Sequence, residues 1–229
     1  MQSTIFQPLS DEELERIPTP QRPLHSIPEL SLSPKINAHV PDDEECERLW
    51  DKYKMFDNIR AHCLLVAEVA TELATKAAMS GLPVSVPEVR AAGLLHDIAK
   101  TYCVCHGGGH ADLGASWVVQ ETHNHRIAQG VFHHVWWPWE LPLENAQRLC
   151  ALPFFILYAD KRARHDEFVS LEDRYVDLYE RYGNSDVRKK SIYMAYLQGK
   201  SIENGLSRCL GMDLSSWHPA ARTARKEEN

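Results

Sequence analysis

An imidazole and a carboxylate stand side by side at His96-Asp97, inside the apolar run "AGLLHDIAK" of residues 92–100. Both groups lose hydration energy on burial and must be paired or bind something, and a metal ion would serve both. Asp160 repeats the anomaly, because it ends "LPFFILYAD" in the most apolar helix of the chain. An unpaired carboxylate there costs several kcal/mol, so a cation is expected beside it. His62 is a third polar residue on an apolar stripe, shared with Val66, Val69 and Leu73. Two imidazoles and two carboxylates form an N and O ligand set suited to Zn, Mn, Fe or Co, with room for water. A lone histidine on such a stripe is more often a hydrogen-bonded core residue. The second HD pair, His165-Asp166 in "KRARHDEF", is explained by solvation. What lifts His62, His96, Asp97 and Asp160 above that background is their delivery by three separate apolar helices.

Those helices are readable from period and punctuation. Ser85 and Pro87 open one that carries His96-Asp97 and runs to Lys100. Residues 58–78 form the clearest helix, with Gly81 as its stop, and residues 145–164 form an apolar central one. Acidic residues from Asp42 start an earlier helix with Leu49 and Trp50 buried. After the glycine loop "CHGGGH", helices are expected over 110–120, through "RIAQGVFHH", over "SLEDRYVDLYERYG" and over 186–209. Strand alternation is nearly absent, so the fold class is all-α. Seven of thirteen prolines fall within the first 41 residues, which read as an extended or disordered segment. Residues 42–215 then form the domain with its C-terminal helices, and residues 216–229 a polar tail.

A chain of 229 residues with 44% hydrophobic content suits one soluble domain with appendages. A net charge of −7 argues against a long nucleic acid, though not against a small phosphate compound held by local cations. The longest apolar stretch, "LCALPFFILYA", is broken by Pro153 and too short to span a bilayer, and no signal peptide is evident. A cytoplasmic location without membrane contact is expected. Six scattered cysteines suggest reduced thiols. Cys103, Cys105 and His106 lack the second cysteine pair that a structural zinc site would need.

The order His62, His96-Asp97, Asp160 resembles the H…HD…D signature of the HD superfamily of metal-dependent phosphohydrolases, and the resemblance covers about residues 42–160. It implies an HD-domain helical bundle, here with a Pro-rich N-terminal extension and extra C-terminal helices. It also implies a site for divalent transition metal ions, two in the dinuclear members. In those members Asp97 would bridge, with His62, His96 and Asp160 completing one site. His110 and one of His133 and His134 would complete the other. Analogy selects His133, whereas the helical stripe places His134 with Ile127 and Val131 and so points the other way.

Hydrolysis of a phosphate ester or anhydride of a small nucleotide is the activity the resemblance implies, with Asp97 and Lys100 as catalytic residues. Lys100 and Lys161 are expected to contact phosphate oxygens, with ordinary solvation as the competing explanation. Trp136, Trp137 and Trp139 could stack on a base or simply pack a loop. The sequence "HHVWWP" lacks the Gly-Tyr-Pro element of cyclic-di-GMP phosphodiesterases, and "HDIAK" lacks the Glu-Asp pair of stringent-response pyrophosphohydrolases. It is closer to the symmetrical diadenosine tetraphosphate hydrolases. A di-iron oxygenase of the same superfamily and a non-catalytic regulatory or binding module are the alternatives.

Overall fold

Side-chain caps set many of the helix starts. The computed structural model describes residues 6–18 and 37–220. In chain order its elements are α1 (Asp11–Arg16), α2 (Asp43–Lys52), α3 (Asp57–Met79), α4 (Val86–Leu95), α5 (Lys100–His106) and α6 (His110–Thr122). There follow α7 (His125–His133), α8 (Ala146–Leu149), α9 (Leu152–Lys161), β1 (Ala163–Arg164), β2 (Glu167–Phe168), α10 (Leu171–Tyr182) and α11 (Asp186–Leu210). Asp42 and Glu45 form a capping box on α2, Asn124 caps α7, and Ser170 and Ser185 cap α10 and α11. The fold is all-α, with β1 and β2 as a two-strand hairpin.

The centre of the core is α9, whose residues from Leu152 to Lys161 are all buried. It packs against α3, α4 and α7, the elements that carry or adjoin His62, His96-Asp97 and His134. Helices α3 and α4 lie unusually close at Gly93, where a β-carbon would come 2.6 Å from Ala67 Cα. Only hydrogen fits there, and the contact fixes how far His62 stands from His96. Trp50 ties α2 to α4 by donating its Nε1–H to Leu94 O at 2.8 Å.

Three expectations change. The helix expected over 87–100 ends at Leu95, where backbone bonds shift to three-residue spacing: Ile98 N donates to Leu95 O and Lys100 N to Asp97 O. The helix expected over 145–164 is divided at Cys150–Ala151, because Pro153 has no N–H to donate and fits only near the start of α9. Its last residues leave the helix as β1. Within the N-terminal segment expected to be extended, residues 11–16 are helical, with the Ser10–Glu13 capping box at their start. Phe6 lodges among Tyr175, Tyr179, Tyr193 and Tyr196, and Lys190 Nζ donates to Leu14 O and Ile17 O at 2.6 and 2.7 Å. The remainder of that segment, and residues 221–229 of the expected tail, lie outside the described residues. Within the tail range, Trp217 packs on Phe168, so apolar contacts continue past residue 215. Among the described residues no helix is long and apolar enough to cross a membrane.

Gly93→Ala is expected to destabilise the protein by about 1–3 kcal/mol, since overpacking here meets backbone rather than a mobile side chain. The midpoint of a denaturant titration measures it, and an unchanged midpoint would mean that the α3–α4 contact is looser than described.

Candidate metal centre

Three histidines are oriented by the same device, a bond from the ring Nδ1 to a backbone carbonyl. His96 Nδ1 lies 2.8 Å from Gly93 O and His134 Nδ1 2.6 Å from Val131 O, each reaching back three residues. His62 Nδ1 lies 2.9 Å from His165 O, in the hairpin turn between β1 and β2. A carbonyl oxygen only accepts, so each Nδ1 carries the proton of that bond and each ring turns Nε2 toward the cluster. The three Nε2 atoms converge on Asp97.

The Asp97 carboxylate divides its two oxygens between two groups. Oδ2 lies 3.5 Å from His96 Nε2 and 3.8 Å from His62 Nε2, whereas Oδ1 lies 3.3 Å from His110 Nε2 and 3.6 Å from His134 Nε2. His62, His96 and Asp97 form one set of donor atoms close enough to hold an ion, and Asp97, His110 and His134 form another. Asp160 joins the first through Oδ1, at 3.1 Å from His62 Nε2 and 3.9 Å from His96 Nε2.

Sequence reasoning asked for a cation beside each buried carboxylate, and lysines already meet that demand. Lys100 Nζ lies 2.6 Å from Asp97 Oδ2, and Lys161 Nζ 2.6 Å from Asp160 Oδ2. Burial alone would raise both carboxyl pKa values. His96 and Lys100 outweigh it at Asp97, Lys161 and His62 at Asp160, and both stay well below the ordinary range. The lysines leave other atoms unexplained. Among the described residues His96 Nε2 and Asp97 Oδ1 are buried without a hydrogen-bond partner, and His110 Nε2 faces His134 Nε2 at 3.1 Å. An orphaned acceptor costs about 1–3 kcal/mol. A divalent ion on each side of Asp97 would engage all four atoms, so the donor set fits the metal. Burial also lowers the pKa of His110, to about 4, and of His134, which favours neutral rings able to serve as nitrogen donors.

His133 is the correction. Helix α7 ends there, and its ring packs against Phe132, Trp137 and Trp139 with centroids 4.8–5.1 Å apart, away from Asp97. His134, one residue on, turns inward on the face of Ile127 and Val131, as the stripe suggested. Trp137 is buried against Phe154 and Trp139, so these two tryptophans pack a loop. Sequence reasoning also passed over the backbone of His165, whose side chain is solvated as expected but whose carbonyl aims His62. No side-chain signal could have revealed a carbonyl. Cys103 and Cys105 belong to no metal-competent group among the described residues.

A cleft of about 350 Å³ opens over His110, His134 and Asp160, with Lys100 and Lys161 in its lining. Its other wall comes from α10 and α11, including Arg174, Tyr175 and Arg188. That volume is at the lower end of the range for small-molecule sites.

The family model for the HD domain matches residues 59–182, a span that holds all the clustered histidines and aspartates and excludes α11. An uncharacterized protein of Methanocaldococcus jannaschii is 35% identical over 79 residues, which are 34% of this chain and 46% of that relative. The chain therefore covers less than half of the relative's length. No solved structure matches.

Metal analysis separates the two adjacent histidines. His134→Ala is expected to lower the bound divalent ion content, whereas His133→Gln keeps the wild-type value; the reverse pattern would restore His133 as the ligand.

Proposed function

The chain belongs to the HD domain family, a superfamily of metal-dependent phosphohydrolases, and we propose that it hydrolyses a phosphate ester or anhydride of a small nucleotide. The observation that carries this reading is the pairing of the histidine–aspartate cluster with Lys100 and Lys161 on the lining of one cleft. An N and O donor set alone serves many reactions; cations beside it select for an anionic substrate.

His62, His96, Asp97 and Asp160 would hold one divalent ion, and Asp97, His110 and His134 a second. When bound, such ions supply an acidified water as nucleophile and offset charge developing on the phosphoryl group. Asp97 is suited to bridging because each of its oxygens already faces a different histidine pair. Lys100 and Lys161 each place an ammonium against a ligand carboxylate, within a short swing of the cleft, and can donate N–H bonds to phosphate oxygens there. Such donors act on charge that grows in the transition state, in a site partly shielded from water. The cleft volume suits a nucleotide rather than a polymer, in keeping with the net charge of −7.

The test is a panel of nucleotides and phosphodiesters assayed with the manganese-, iron-, cobalt- or zinc-loaded protein. Asp97→Ala is expected to lower kcat/KM by about 1,000-fold or more, about 4 kcal/mol of transition-state stabilisation. Lys100→Met and Lys161→Met are each expected to lower it by about 10- to 100-fold, as for loss of one charged donor. Equal hydrolysis by wild type and Asp97→Ala would remove the cluster from the reaction. Obligatory iron with oxygen uptake and no phosphate release would replace hydrolysis with oxygenation.

A further inference from the structure

The α10–α11 wall of the cleft carries two guanidinium groups that the hydrolytic site does not use. Arg174, on α10, is only 9% exposed, lines the cleft, and has a buried Nε–H with no acceptor among the described residues. Its Nη1 donates to Asp177 Oδ2 at 2.9 Å, but that carboxylate is shared with Arg181 Nη1 at 3.5 Å. One negative charge thus faces two positive ones. Arg188, on the first turn of α11, lines the same cleft, is exposed, and has no ion pair among the described residues. The lining of the same cleft also includes Tyr175, Leu178 and Ile192.

A buried arginine donor without a partner costs free energy unless something occupies it. A guanidinium fork matches the paired oxygens of a phosphoryl group or a carboxylate, and the hydrolytic reading selects the phosphoryl group. We propose that Arg174 and Arg188 form a second phosphate subsite, so that the substrate carries two phosphoryl groups joined by a body that packs on Tyr175, Leu178 and Ile192. One phosphoryl group lies at the metal cluster and the other on the α10–α11 wall. The inference rests on the hydrolytic reading for the role of the first group. It extends that reading by assigning specificity to α11, which lies outside the span matched by the HD domain model.

Alkylphosphonates resist P–O hydrolysis and allow binding to be read apart from turnover. Calorimetry on the intact, metal-loaded protein would compare linear α,ω-bisphosphonates of increasing chain length with the matching monophosphonates. At the length that spans the cleft, the bisphosphonate is expected to bind at least about tenfold more tightly. Arg188→Ala, an exposed change that should fold, is expected to abolish that advantage while monophosphonate binding persists; Arg174→Lys is expected to reduce it. No advantage at any length, or one that survives in Arg188→Ala, overturns the subsite. Hydrolysis by wild type and Asp97→Ala is scored separately. Lost selectivity with intact hydrolysis rejects only the subsite, and retained selectivity without hydrolysis rejects only the phosphohydrolase reading.

Discussion

The bond from an imidazole Nδ1–H to a backbone carbonyl is the constraint on which the centre depends. A histidine ring that is free to rotate, or to exchange tautomers, presents no fixed lone pair. Gly93 O, Val131 O and His165 O remove that freedom from His96, His134 and His62. Two of the three carbonyls lie three residues before their histidine, where α4 and α7 end and the carbonyls lose their helical partners. Helix termination therefore does two things in one place. It leaves a carbonyl without an amide and supplies an imidazole that uses it, so His96 and His134 sit just past the ends of α4 and α7, whereas His62 and Asp160 lie within α3 and α9.

Packing sets the remaining distances. Gly93 lets α4 approach α3 closely enough that its carbonyl, already engaged by His96, brings that ring to a centroid distance of 5.2 Å from His62. Gly114 and Gly130 serve similar close approaches, the first beside Val131 and Ile98, the second beside Leu152 at the start of α9. Helix α9 then delivers Asp160 from a fully buried interior. The cluster is expensive in desolvation, and the apolar contacts of α3, α4, α7 and α9 hold it together. Buried charge makes a weak contribution to stability in its own right. Its persistence in the core is better explained by chemistry.

Much of this was legible in the sequence because it rests on contrast. A carboxylate at the end of "LPFFILYAD", or an imidazole among Val66, Val69 and Leu73, departs from its surroundings, and the structure brings Asp160 and His62 within 3.1 Å of one another. The helical spans followed from period, from caps and from Gly81. Where contrast was missing the reading failed. His133 and His134 are chemically identical neighbours, and the choice turned on where α7 stops, a boundary that local sequence specifies poorly. The stripe of Ile127 and Val131 held the answer, and analogy overrode it. His165 contributes through its backbone, which every residue type possesses. The end of α4 at Leu95 depends on a tertiary arrangement that the pattern Pro87 to Lys100 does not encode.

Arg174 and Arg188 escaped notice for a related reason. On amphipathic helices such as α10, charged residues ordinarily form the solvated face, and "SLEDRYVDLYERYG" contains four acids and two arginines that look interchangeable. Burial distinguishes them: Arg174 is enclosed whereas Arg181 stays in solvent. Helix α10 packs against α11, α9 and β1; α11 meets it through Tyr175 and Tyr196 and is held in turn by Phe6 and the Lys190 contacts to α1. The described part of the N-terminal segment thus supports the wall. The residues that would hold the ions lie on or beside α3 to α9, and the cations proposed to meet the rest of the substrate lie on α10 and α11, so the two sets can vary independently.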